Sequence, residues 1–244
     1  MDGSAVNAIA ELAEKANLKT IEIDGVTYAS TTAVDVRRPD PVPKPLVVGT
    51  LACMVDYLMS DLDDVVAEAI AKREVVVQVV SPWDVRVVGT LQEYHAVRPV
   101  YCKAVADDVV RGMLERHMPV GDFIPKLMSQ FKKTAERDAL LQVLGNVREG
   151  EVKTSADDGT TQTVTARQGV AVVADVAIPN PIELVPYRTF PEVEQPLVPF
   201  VVRLQGGPSV ALFECDGGRW QLDACQAIYA YLYDKLEEQV QVIA

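Results

Sequence analysis

The sequence predicts an α+β fold with antiparallel sheets, a long central helix, a proline-rich extended arm and a C-terminal helix. Three observations carry that expectation. Strand-like and helical runs are grouped along the chain instead of alternating, which separates α+β from doubly wound α/β architectures. Two valine-rich runs, 74–80 and 85–91, flank a Ser-Pro-Trp-Asp turn and read as a largely buried hairpin. Finally, Pro179 to Pro199 packs six of the fifteen prolines into 21 residues. Each proline fixes its own φ and pushes its predecessor toward extended backbone, so that stretch is a stiff arm and not a helix.

In chain order, Ser4 can cap an amphipathic helix reaching about Asn17. Asp24-Gly25 between alternating runs is a two-residue hairpin signal, placing strands over Thr20 to Tyr28. Arg37 to Pro45, with prolines at 39, 41, 43 and 45, reads as an extended connector. Thr50 caps a helix carrying Leu51, Met54, Val55, Leu58 and Leu62, and a second helical pattern runs to Arg73. The valine hairpin follows, with a third strand over 99–106.

Gly121 to Leu144 keeps a 3.6-residue apolar period and is taken as the long central helix, stopping at Gly145-Asn146. The Thr-rich run 151–167 folds at Asp157-Asp158-Gly159; with few large apolar residues on either face, that hairpin should project. An apolar strand over 170–178 leads into the arm. A hairpin around Gly206-Gly207-Pro208 and a helix from about Leu222 close the chain. The best internal boundary lies near Gly145 to Gly150, dividing an α+β half, 1–147, from a strand-rich half, 148–244, or leaving one merged domain.

Length and a hydrophobic content of 49% allow a sizeable core. A net charge of −12 with scattered basic residues argues against binding a nucleic-acid backbone. The four cysteines form no Cys-x-x-Cys, no basic-then-apolar leader opens the chain, and no apolar run approaches the roughly 20 residues of a membrane span. The expectation is a cytoplasmic protein with free thiols and no membrane partner.

Both phosphate-cradling glycine motifs are missing, and His95 and His117 stand in no metal-binding spacing. Cys102 with His95 is the nearest nucleophile and base pair in sequence. The acids at 61–64 fit a helix N-terminus, and Asp157-Asp158 a hairpin tip. No catalytic residue, metal ligand or cofactor is therefore assigned. Glu214-Cys-Asp-Gly-Gly-Arg-Trp220 is the candidate for ligand contact: Gly217 and Gly218 permit close approach, Arg219 adds charge and Trp220 could stack on a planar ligand. Its alternative reading is a strand-to-helix turn with Trp220 as a core anchor. Within the arm, Arg188 is the only base among acids, and a buried pairing with a carboxylate, its face on an aromatic ring, would suit its planar fork.

Asp157-Asp158-Gly159 with Gln162, Asn180-Pro181 with Pro186-Tyr187-Arg188-Thr189-Phe190, Glu192-Val-Glu194-Gln-Pro196, and Leu212-Phe-Glu with Asp216-Gly217-Gly218 and Trp220 together resemble a set of uncharacterised bacteriophage and prophage proteins, over about residues 150–240. The resemblance implies a phage-encoded protein of the host cytoplasm and brings no activity. The leading expectation is a non-enzymatic, self-assembling homo-oligomer whose contacts involve Tyr187, Arg188, Phe190, Glu192 and Glu194 of the arm and Asp157, Asp158 and Gly159 of the hairpin. The alternative is a soluble phage-encoded protein that binds a host factor or small ligand through Gly217 to Trp220.

Overall fold

A computed structural model describes residues 20–23, 26–29, 44–60, 62–91, 97–148, 151–157, 162–168, 171–178, 180–205, 209–236 and 239–244. The chain divides into two compact units, 1–42 with 92–97, and 43–91 with 98–244. In the first, strands β1 (Thr20–Ile23) and β2 (Val26–Ala29) pair antiparallel with Ile23 opposite Val26. That register matches the two-residue turn expected at 24–25. The expected helix over 4–17, most of the 37–45 connector and His95 lie outside the described residues.

In the second unit, Thr50 caps helix α1 (Leu51–Leu58), its hydroxyl oxygen accepting from the Cys53 amide at 3.2 Å. Helix α2 (Asp64–Ala71) follows, so Leu62 stands between helices and is exposed. Both helices bury their apolar stripes on a five-stranded sheet. Its strands are β3 (Leu46–Val48), β4 (Val75–Ser81), β5 (Asp84–Gly89), β6 (Val100–Val105) and β14 (Gln241–Ile243), in the order β14-β4-β5-β6-β3. The central strands are antiparallel, but β14 and β3 run parallel to their neighbours. The sheet is thus mixed, because each edge strand is joined to its partner by a long excursion of chain and not by a tight turn.

The sheet is two-faced. Along one cross-strand row, Val48, Ala104, Val85 and Val79 are buried; along the next, Val47, Lys103, Arg86, Gln78 and Ile243 are partly or fully exposed. Helices cover the first face and leave the second bare among the described residues.

The expected long central helix is two helices, α3 (Val120–Gln130) and α4 (Ala135–Arg148). The break has a tertiary cause. Phe131 is extended and bridges to Pro186 of the arm, Lys132 donates its amide to the Val185 carbonyl, and Tyr187 donates to that of Gln130. Thr134 then restarts the helix by accepting the Arg137 amide at 3.1 Å. Behind these helices lies an antiparallel sheet of β11 (Ile182–Leu184), β12 (Val198–Gln205), β13 (Ser209–Glu214) and the short β7 (Met118–Pro119), in the order β11-β12-β13-β7. The Thr-rich hairpin is present as β8 (Glu151–Asp157) and β9 (Gln162–Gln168), extended by β10 (Ala171–Ile178) into a three-stranded antiparallel meander. Its tip, with Asp158 and Gly159, lies outside the described residues.

The last helix, α5 (Arg219–Leu236), buries Trp220, Ala224, Ile228, Leu232 and Leu236, one residue every four. Trp220 and Ala224 belong to the core between the four-stranded sheet and α3–α4; Ile228, Leu232 and Leu236 belong to the core under the five-stranded sheet. Both cores draw residues from before and after 147, so the expected boundary there falls inside one compact unit.

On the bare sheet face Asp84 meets Arg86 at 2.7 Å and Lys103 at 3.3 Å. Burial raises its carboxyl pKa, but hydrogen bonds and charge from both bases outweigh that and hold it below the ordinary value. A depressed folded pKa gives stability that is present above the unfolded value, near 3.9, and lost as pH falls through the folded one. Acid melting should therefore show a loss of stability below about pH 4 that Asp84→Asn reduces; an unchanged acid limb in that variant would mean the cluster contributes nothing.

Candidate functional site

The arm is organised by side chains that stand in for backbone. Asn180 exchanges two hydrogen bonds with the Val202 backbone, its oxygen accepting the amide at 2.8 Å and its nitrogen donating to the carbonyl at 3.2 Å. Gln195 accepts the amides of Arg188 and Thr189 and donates to the carbonyls of Phe190 and Val193. These two amide side chains supplement the β11 ladder along a segment whose prolines lack amide donors.

At its centre Arg188 is 4% exposed. One terminal nitrogen donates to Glu214 Oε1 at 2.6 Å and the other to Asp108 Oδ2 at 3.0 Å, while the guanidinium carbon lies 3.4 Å from the centre of the Trp220 ring. Trp220 in turn packs on Trp83 with ring centres 5.9 Å apart, and the Thr189 hydroxyl donates to the Pro82 carbonyl in the same turn. The buried, acid-paired, ring-stacked arginine expected from the sequence is present, with one change: its fork is split between two carboxylates. All its partners are in the same chain.

That placement corrects several expected assignments. Phe190 is fully buried in the core under the five-stranded sheet, and Glu192 accepts the Ala52 amide at 2.9 Å, capping the α1 N-terminus, where a carboxylate complements the free amides. Arg188, Phe190 and Glu192 are therefore used inside the subunit. Tyr187 and Glu194 remain exposed. The structure likewise corrects the expected ligand site at Gly217 to Trp220. Trp220 is 2% exposed, with Arg188 over its ring and Trp83 packed against it, so it cannot stack on a ligand. Gly217 and Gly218 have φ of 66° and 84°, the left-handed region that glycine adopts without penalty. They let Asp216 fold back as the cap of α5, accepting the Gly218 and Trp220 amides at 2.9 Å each. Arg219 is exposed and, among the described residues, pairs with Asp223 at 3.8 Å.

Cys102 is fully buried among valines on β6, and burial, with a smaller contribution from Cys53, pushes its thiol up to about 11. It stays protonated at neutral pH, which removes its nucleophilicity. His117 is exposed, and among the described residues no cluster of His, Cys, Asp or Glu could hold a metal ion. No helix among them is long and apolar enough to cross a membrane. Comparison with known proteins finds no matching family model, no matching curated protein and no matching solved structure.

Sequence reasoning missed Asp108 and Glu214, which lie 80 and 26 residues from Arg188 and carry no local signal. It also missed Arg73 and Arg98, which line a cavity on the bare sheet face. The left-handed backbone of Arg73 leaves no mark in a single sequence.

Arg188→Ala should destabilise the folded chain by about 3–5 kcal/mol, since two carboxylates lose their counter-charge in a buried site. Arg188→Lys should cost nearly as much, because one ammonium cannot span both acids and stack on Trp220; a lysine variant that melts with the parent protein would contradict this. Thiol reagents should modify exposed Cys53 and Cys215 in the native protein and reach Cys102 only after denaturation; Cys102→Ser should leave the native reaction unchanged.

Proposed function

We propose that this chain is a non-enzymatic, self-assembling structural protein of the bacteriophage type, forming a closed homo-oligomer in the host cytoplasm. The observation that supports this reading is the bare face of the five-stranded sheet. Val47, Val80, Val105 and Ile243 stand on it with 64, 43, 37 and 42% of their surface exposed. Leu46 and Val47 also form its β3 edge, whose outer side has no partner strand among the described residues. Exposed apolar side chains beside an open edge are features that a second copy covers, and symmetric closure is the common outcome. Tyr187 and Leu197, exposed on the arm, extend the apolar surface available to a neighbour.

The alternative, a soluble protein binding a small ligand or host factor, draws its support from a different place than the Gly217 to Trp220 turn. Its support is the arginine-lined cavity on the same sheet face.

Light scattering at micromolar concentration should give a mass that is a multiple of the 26.6 kDa chain. Val47→Lys combined with Val105→Lys should return it to the monomer with circular dichroism unchanged, both side chains being outside the core. A parent protein that is already monomeric overturns the proposal.

A further inference from the structure

A cavity of about 340 Å³ opens on the bare sheet face beside β14. Val76, Val88 and Ile243 form its apolar wall, Gln78 and Thr90 add neutral polar groups, and Arg73 and Arg98 bring two guanidinium groups. Among the described residues Glu74 is the one acid lining it, so the described lining carries a net positive charge in a chain whose formal net charge is −12.

Among the described residues the two arginines share an absence of acid partners with Arg111 and Arg116, but they alone of these line the cavity. Arg86, Arg137, Arg188 and Arg219 each pair with an acid, whereas Arg73 and Arg98 form no ion pair among the described residues. Arginine side chains are the usual carriers of planar recognition for carboxylate and phosphate, and in an acidic protein an arginine left without its own carboxylate has its donors free.

Arg73 is also placed at a local energetic cost. It follows α2 with φ of 58°, and the Arg73 amide donates to Ile70 while the Glu74 amide donates to Ala69. This is the double hydrogen-bond closure of a helix C-terminus whose left-handed position ordinarily holds glycine. A side chain there costs stability that glycine would recover. Strain retained at the mouth of a cavity points to use of the side chain.

We propose that this cavity binds a small organic anion, its carboxylate or phosphate group held between Arg73 and Arg98 and a compact apolar body lying on Val76 and Val88. The volume is at the lower end of the range for small-molecule sites and suits a ligand of one ring. The site shares Ile243 with the assembly face proposed above and lies away from Val47. In the sheet register Val47 and Ile243 stand four strands apart, roughly 19 Å at the usual strand spacing, and Val105 pairs with Asp84 at the opposite end of β5 from Val88, so the lysine substitutions fall outside the cavity lining.

The test uses the full chain with phenyl phosphate, benzoate and inorganic phosphate as probes and benzyl alcohol as the neutral control, read by calorimetric titration and thermal shift. Phenyl phosphate or benzoate should bind with saturable heat and raise the melting temperature, and benzyl alcohol should not. Arg98→Gln should weaken binding at least about tenfold. Arg73→Gly is the decisive variant: without ligand it should melt a few degrees higher than the parent, through relief of strain, and yet bind at least about tenfold more weakly. A purely structural arginine would not give gain in one and loss in the other. Absence of any anion effect at millimolar concentration, equal binding of benzyl alcohol, or affinity that survives both substitutions overturns the proposal.

Discussion

One buried guanidinium ties the second compact unit together. Arg188 reaches Asp108 in the loop after β6, Glu214 at the end of β13 and the face of Trp220 at the start of α5. These groups belong to different parts of the chain, and a single planar cation fixes their mutual positions. An isolated charge could not sit there, since the cost of removing it from water is met only by close partners of opposite sign. The arm's path follows from this. Ile182 and Leu184 on one side of Arg188 enter the core of the four-stranded sheet, and Phe190 and Val193 on the other side enter the core of the five-stranded sheet.

Helix α5 makes the same crossing a second time. Its 18 residues extend roughly 27 Å at the helical rise, enough for one stripe to serve both cores in turn. Trp220 belongs to both devices: it anchors the helix in one core and presents a ring face to the arginine. Two independent crossings, one extended and one helical, explain why residues before and after 147 fold as one unit, although chain composition changes there.

The bare sheet face is the complement of that arrangement. Three helices occupy one side of the five-stranded sheet, and the other side keeps a mixture of valines, an acid between two bases, and a cavity bearing two arginines without acid partners. A sheet whose central strands are antiparallel tolerates such a face in water. What distinguishes this one is the concentration of apolar exposure near β3 and of positive charge near β14, at opposite ends of the same surface.

The sequence by itself determined the fold class, the valine hairpin, the Thr50 cap, the presence of the last helix and the burial and pairing of Arg188. Each of these rests on local signals: alternation, 3.6-residue spacing, a capping hydroxyl, or one base among acids and prolines. Only the tertiary structure decided what depends on residues distant in the chain. The apolar period over 121–144 could not reveal that the arm pairs at Phe131 and breaks the helix, because the competing hydrogen bonds come from Val185 and Tyr187. Nor could Gly217 to Trp220 be told from a ligand loop until the indole was seen buried, with Arg188 over its ring and Trp83 packed against it. Arg73 and Arg98 were invisible for the same reason: 25 residues apart, they share a cavity only because β4 and β5 fold back on each other, and strain at φ of 58° belongs to a backbone conformation that no single sequence records.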